Sequence, residues 1–136
     1  NGPAIFAGHE FGFLEGPAVL NLTIANNLFE NIRLSNVFIC NTAMDRTPAK
    51  GLANRNVIIR DNTFMNYGAK AGPGLGVNGV AIDVSNAKGV TVSGNRFEQG
   101  HADRDASLPL IHLGPSEDVT VKDNVVEDGL ILQAAE

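Results

Sequence analysis

Across residues 20–31, 55–66, 88–99 and 117–128, apolar and polar side chains alternate for a few positions, turn at an asparagine and resume on an aromatic or a valine. The four phrases are Leu22-Thr23-Ile24-Ala25-Asn26-Asn27-Leu28-Phe29, Val57-Ile58-Ile59-Arg60-Asp61-Asn62-Thr63-Phe64, Val90-Thr91-Val92-Ser93-Gly94-Asn95-Arg96-Phe97 and Val119-Thr120-Val121-Lys122-Asp123-Asn124-Val125-Val126. A period of two predicts strands with one buried face, and no phrase carries the helical period. The asparagines Asn27, Asn62, Asn95 and Asn124 stand 35, 33 and 29 residues apart (62 − 27, 95 − 62, 124 − 95). Such spacing signals stacked supersecondary units that share a continuous core.

Asparagine tolerates left-handed backbone and hydrogen-bonds nearby main chain, so each is read as a sharp corner between two strands. Stacked in register, the four should form an internal ladder of side-chain amides. Phe29, Phe64, Phe97 and Val126 then form the neighbouring layer. A third strand lies between phrases, at Val37–Cys40, Val80–Val84, Leu110–Leu113 and Leu130–Leu132, with Ala4–Ala7 as its counterpart in an earlier unit. The chain is therefore predicted to be all-β, with three short strands per coil and four to five coils in one domain over residues 1–136. At about 4.8 Å per coil the stack would be roughly 20 to 25 Å tall.

The repeated Val-x-Val-x-x-Asn-x-Phe phrase resembles the pectate lyase-like superfamily of right-handed, single-stranded parallel β-helices. That superfamily includes polygalacturonases, polysaccharide lyases, epimerases and other carbohydrate-active proteins. The resemblance spans almost the whole chain and implies a groove flanked by long loops, a poly- or oligosaccharide partner, no cofactor, and an extracellular or periplasmic location. The activity it suggests first is glycoside hydrolysis. A lyase or epimerase, or a non-catalytic glycan-binding, adhesin or tail-spike stalk segment, stands beside it, because one fold hosts many functions.

Composition narrows this picture. A hydrophobic fraction of 43% with 18% charged residues indicates a folded core. The net charge of −5, with 10 scattered Lys and Arg residues, disfavours nucleic acid and anionic membrane surfaces as partners. Cys40 is the single cysteine, so no intrachain disulfide forms and stacking must supply the stability. The chain starts at Asn1 and neither terminus resembles a cap, so it reads as part of a longer protein, with neighbouring coils or oligomer partners covering its ends.

The corners at the asparagines are minimal, whereas Gly8 to Ala18, Asn41 to Asn56, Tyr67 to Asn78 and Gly100 to Pro109 are long and rich in Gly, Pro and charge. Long loops on a rigid scaffold are where binding and catalytic groups are usually placed. Val84 and Leu113 each precede the first valine of the next phrase by six residues (90 − 84, 119 − 113), which aligns Asp83 with His112. Both should face outward on adjacent strands, with Cys40 as the equivalent one coil earlier. A carboxylate beside an imidazole makes an acid/base pair; the plainer alternative is an exposed cross-strand salt bridge.

Glu10 joins Asp83 and His112 as a catalytic candidate, since hydrolysis of a glycoside uses two carboxyl groups. His9, Phe11 and Glu15 share the Gly-bounded loop after the first strand and could supply hydrogen bonds and a stacking face for a sugar. His101, Asp103 and Arg104 form the densest charged stretch, placed to overhang Asp83 and His112. Asp45, Arg46 and Lys50 are a weaker set of the same kind. No metal site is expected, because two acids and one His at this spacing are too few. Gly72-Pro73-Gly74-Leu75-Gly76 lacks the Gly-Lys-Ser/Thr of a nucleotide loop and reads as a flexible loop.

Overall fold

A computed structural model describes residues 3–10, 18–32, 35–42, 54–68, 79–126 and 132–135. Among the described residues there is no helix, and every strand pairs in parallel. The first sheet contains β1 (Ile5–Glu10), β4 (Val37–Thr42), β7 (Ile82–Val84), β10 (Ile111–Leu113) and β13 (Gln133–Ala135), in that order. The second contains β2 (Leu20–Ala25), β5 (Asn54–Arg60), β8 (Ala87–Ser93) and β11 (Ser116–Lys122), and the third β3 (Leu28–Glu30), β6 (Thr63–Tyr67), β9 (Arg96–Gly100) and β12 (Val125–Val126). Consecutive strands fall in the first, second and third sheets in strict rotation.

The register is that of the repeated phrase. Leu22, Val57, Val90 and Val119 are successive partners across the second sheet, as are Ile24, Ile59, Val92 and Val121. Val57, Ile59, Val90 and Val92 are all buried. In the third sheet Phe29, Phe64 and Phe97 are in register, and their rings stack at 5.0 Å with interplanar angles of 12° and 9°. That separation matches the strand spacing of about 4.8 Å, so identical side chains at one register position stack without leaving their rotamers. Val37, Ile82 and Ile111, with Ile39, Val84 and Leu113, supply the wall from the first sheet. All three sheets contribute to one apolar cluster.

The asparagine ladder is continuous. Asn27 Nδ2 donates to Asn62 Oδ1 at 3.1 Å, Asn62 Nδ2 to Asn95 Oδ1 at 3.0 Å, and Asn95 Nδ2 to Asn124 Oδ1 at 3.0 Å. Each of those oxygens also accepts the backbone N–H of the preceding ladder asparagine at 3.0 Å. The left-handed backbone, however, sits one residue earlier than the sequence reading placed it. Asn26, Asp61, Gly94 and Asp123 have φ of 59°, 55°, 64° and 55°. The corner thus divides its labour: the first residue supplies the bend and the second, the ladder asparagine, supplies hydrogen bonds. A second left-handed series, Asn21, Asn56, Gly89 and Asp118, lies inside the strands of the second sheet and is skipped by the pairing. Both partners skip one residue at the same place, so the register is the same before and after it and the irregularity repeats in every layer.

Several boundaries depart from expectation; β7 and β10 begin at Ile82 and Ile111 rather than at Val80 and Leu110. β1 and β4 run on past Ala7 and Cys40, so His9 and Glu10 belong to a strand rather than a loop, pairing with Asn41 and Thr42. Backbone pairing extends there because each strand supplies the other's hydrogen bonds whatever the side-chain pattern. The last strand is Gln133–Ala135, not Leu130–Leu132. Leu132 takes the pre-strand position that Leu110 holds one layer earlier, its carbonyl accepting the Ile111 N–H at 2.9 Å. Gln133 then occupies the register position of Ile111, which is tolerated because it is exposed at the end of the sheet.

Candidate functional site

Asp83 and His112 are register partners on β7 and β10. His112 Nδ1 lies 2.8 Å from Asp83 Oδ1. An ionised carboxylate can only accept, so the imidazole donates Nδ1–H to it, and Nε2 is the ring's second nitrogen. Both residues alternate with inward-facing neighbours, Ile82 and Val84 on one strand and Ile111 and Leu113 on the other, which puts them on the outward side of the first sheet. Outward does not mean exposed here. Asp83 is 3% exposed, which corrects the expectation of an exposed salt bridge; the His112 side chain retains 20% exposure. A buried carboxylate is held by donors, and this one fixes the tautomer and plane of a ring that still reaches solvent.

The equivalent of Asp83 one layer earlier is Phe38, not Cys40. Val37 and Ile39 face inward, so both Phe38 and Cys40 were open to an outward reading, and the long segment before the next phrase defeats counting back. At this register position the first sheet reads Phe6, Phe38, Asp83, His112, Ala134. The phenylalanines in it were missed from sequence, although the inward alternation of their neighbours was the signal that could have found them.

The stretch expected to overhang the site is tied largely to itself. His101 Nδ1 makes a close contact with Asp103 Oδ1. Asp105 Oδ1 accepts from Ser107 N at 2.9 Å and Ser107 Oγ at 2.6 Å, an Asx-type turn. Arg104 turns inward: Nε donates to Gly79 O at 3.0 Å, and Nη2 to Leu108 O at 2.7 Å and Pro109 O at 3.2 Å. Its guanidinium also lies 5.6 Å from the centroid of the Tyr67 ring, which itself meets Phe97 edge-on at 6.0 Å. Arg104 thus clamps the approach to β10 onto the end of the third sheet, a role no spacing in the sequence announced. The clamp needs bare backbone beside it: a Cβ at Gly68 would sit 2.7 Å from Gly79 O and 2.9 Å from Arg104 Cδ. Arg104→Ala should lower stability by about 2 kcal/mol in a urea titration. Arg104→Lys should recover less than half of that, because an ammonium lacks the planar fork that serves all three carbonyls. Equal midpoints for Arg104→Ala and the parent would remove the clamp.

Glu10 lies four positions along β1 from Phe6 and two strands over from Asp83. On a flat sheet this separates the Glu10 and Asp83 Cα atoms by roughly 16 Å, beyond the close carboxyl pair of a glycosidase. His9 is one residue nearer on the same strand. Phe11, Glu15, Asp45, Arg46, Lys50, the Gly72 to Gly76 loop and Leu130 lie outside the described residues. Among the described residues no group of three or more His, Cys, Asp or Glu side chains could hold a metal ion, and no helix is long and apolar enough to cross a membrane. Comparison with protein-family models, curated proteins and solved structures found no match to this chain.

Proposed function

We propose that this chain is a right-handed parallel β-helix of the pectate lyase-like kind, acting on a poly- or oligosaccharide along the outward side of the first sheet. Supporting the architecture are the strict rotation of parallel strands among three sheets and the near-universal right hand of parallel crossover connections. The observation that carries the function is the buried Asp83 bonded to His112 Nδ1. Asp83 orients the ring, and His112 Nε2 takes the proton from an attacking water or delivers one to the leaving oxygen. Hydrolysis is favoured over elimination because elimination calls for a Lys or Arg base on this face, and the register positions in line with Asp83 hold neither.

The test is release of reducing ends from a panel of polysaccharides by the parent and by Asp83→Asn. Asparagine preserves volume and an acceptor oxygen but not the charge, so turnover should fall about 100-fold while the circular dichroism spectrum stays the same. Undiminished turnover in a folded Asp83→Asn protein would end the acid/base assignment. The second reading is a non-catalytic glycan-binding or stalk segment, favoured by the wide separation of Glu10 from Asp83. It predicts retained glycan binding with no cleavage by the parent.

A further inference from the structure

The two outermost layers of the described stack leave complementary hydrogen bonds unmade. From Asn27 to Asn95, each ladder asparagine gives its backbone N–H and one Nδ2 hydrogen to the Oδ1 of the next layer. At one end, Asn27 is exposed and its Oδ1 accepts nothing among the described residues. At the other, Asn124 uses its Oδ1 on Asn95 and one Nδ2 hydrogen on Val92 O at 3.0 Å. Its backbone N–H and second Nδ2 hydrogen have no acceptor among the described residues. The side chains beside the ladder show the same open ends. The outward register position Leu28, Thr63, Arg96, Val125 is polar in the middle layers and apolar at both extremes. Leu28 is 61% exposed and Val125 54%. Val119, Val121 and Val126 are only half-buried, whereas their register partners Val90, Val92 and Phe97 are buried.

We infer that the layer of β2 and β3 in one copy of this chain stacks head-to-tail on the layer of β11 and β12 in another, continuing the register. Leu22, Ile24 and Phe29 then cover Val119, Val121 and Val126, and Leu28 meets Val125. Asn27 Oδ1 accepts both unused donors of Asn124, as each Oδ1 does inside the stack. Charge and ladder polarity choose this orientation over a twofold contact. The β11–β12 layer against itself would oppose Glu117, Asp118 and Asp123 with their own copies, and donors with donors. The β2–β3 layer against itself would oppose Asn27 Oδ1 with Asn27 Oδ1. Head-to-tail, Asp118 and Asp123 meet Asn21 and Asn26, the neutral amides at the equivalent left-handed positions. In the first sheet, β13 lies on β10 where the neighbour's β1 would go. β13 has three residues and sets the exposed Gln133 in the register position of Ile111, whereas β1 has six and would set Ile5 there. Assembly therefore exchanges β13 for the neighbour's β1. No glycan enters this contact, and a head-to-tail contact of this kind does not close at a dimer.

The experiment is sedimentation velocity on the parent over a range of concentrations, and on Leu28→Asp and Val125→Asp alone and mixed. The parent's mass should rise with concentration in steps of 14.3 kDa, past the dimer. Each variant blocks one end, and each should keep the parent's circular dichroism spectrum, since Thr63 and Arg96 already place polar side chains at that register position. Either variant alone should associate about 100-fold more weakly, because the contact would bury an unpaired carboxylate. Mixed in equal amounts they should form a dimer and nothing larger. The intact β2–β3 layer of Val125→Asp then meets the intact β11–β12 layer of Leu28→Asp, and both outer ends are blocked. A parent that stays at the monomer mass at every concentration overturns the contact and leaves these ends to a different chain. A parent that stops at a dimer, or a mixture that forms none, overturns the head-to-tail arrangement.

Discussion

Phe64→Ala is expected to cost about 4 kcal/mol, the upper part of what large-to-small changes cost in a packed core. Phe64 is fully buried and is the middle of three stacked rings, with Phe29 on one side and Phe97 on the other, both at 5.0 Å. Removing it deletes the buried apolar area of a phenylalanine, two aromatic contacts, and the support on which each neighbouring ring rests. The cavity cannot collapse readily, because backbone hydrogen bonds to the strands on both sides hold β6 at its spacing. A domain of ordinary stability has about 5 to 15 kcal/mol in all, so the substitution should bring the chain close to unfolding at ambient temperature. Urea titration measures it, with an unchanged slope showing that the native and unfolded states are otherwise comparable. Phe29→Ala, at the end of the row with one stacked neighbour, should lose clearly less. Equal losses at the two positions would mean that burial alone, and not stacking, sets the contribution.

How far this molecule was legible in its sequence depends on whether one residue type or one backbone parity carried the signal. The ladder and the ring stack were legible because both positions repeat a residue identity whose physics requires a like neighbour: an amide that donates to an amide, a ring that packs on a ring. The pairing of Asp83 with His112 was legible for a different reason, the equal six-residue connection to the next valine. Where the connection length changed, as between Ile39 and Val57, the six-residue count does not apply, and the reading fell on Cys40 instead of Phe38. Backbone conformation was harder to read. Asparagine occurs at both residues of the corner in Asn26-Asn27, and only stacking reveals that the left-handed residue is the first, since Asp61, Gly94 and Asp123 share it. Burial of Asp83 was not legible at all, because alternation tells which face a side chain takes and not what lies over that face. The clamp by Arg104 was hidden for a related reason: its partners are backbone carbonyls from two segments, which leave no mark in side-chain pattern.

Asn95→Ala is expected to lose about 3 kcal/mol, because the side chain at this corner serves two layers at once and orphaned buried groups are expensive. Its Oδ1 accepts both Asn62 N and Asn62 Nδ2 at 3.0 Å. Its Nδ2 donates to Ile59 O and Asn124 Oδ1, again at 3.0 Å. Alanine leaves the buried Asn62 N–H without that acceptor and Ile59 O without that donor, in a corner where Asn62 and Asn95 are both fully buried. Asn124→Ala, at the half-buried end of the ladder, should lose only about 1 kcal/mol, since water can reach the bonds it vacates. Asn95→Asp sharpens the argument. Aspartate restores an acceptor for Asn62 but turns an oxygen toward Ile59 O and Asn124 Oδ1 with no hydrogen to give them, and if ionised it buries a charge without a counterion. It should therefore rescue little of the alanine loss. Only a residue that accepts on one side and donates on the other, at the reach of an asparagine, satisfies both layers. A stability for Asn95→Asp equal to that of the parent would show that the corner uses only the acceptor half of the amide, and the two-sided account of the ladder would fall.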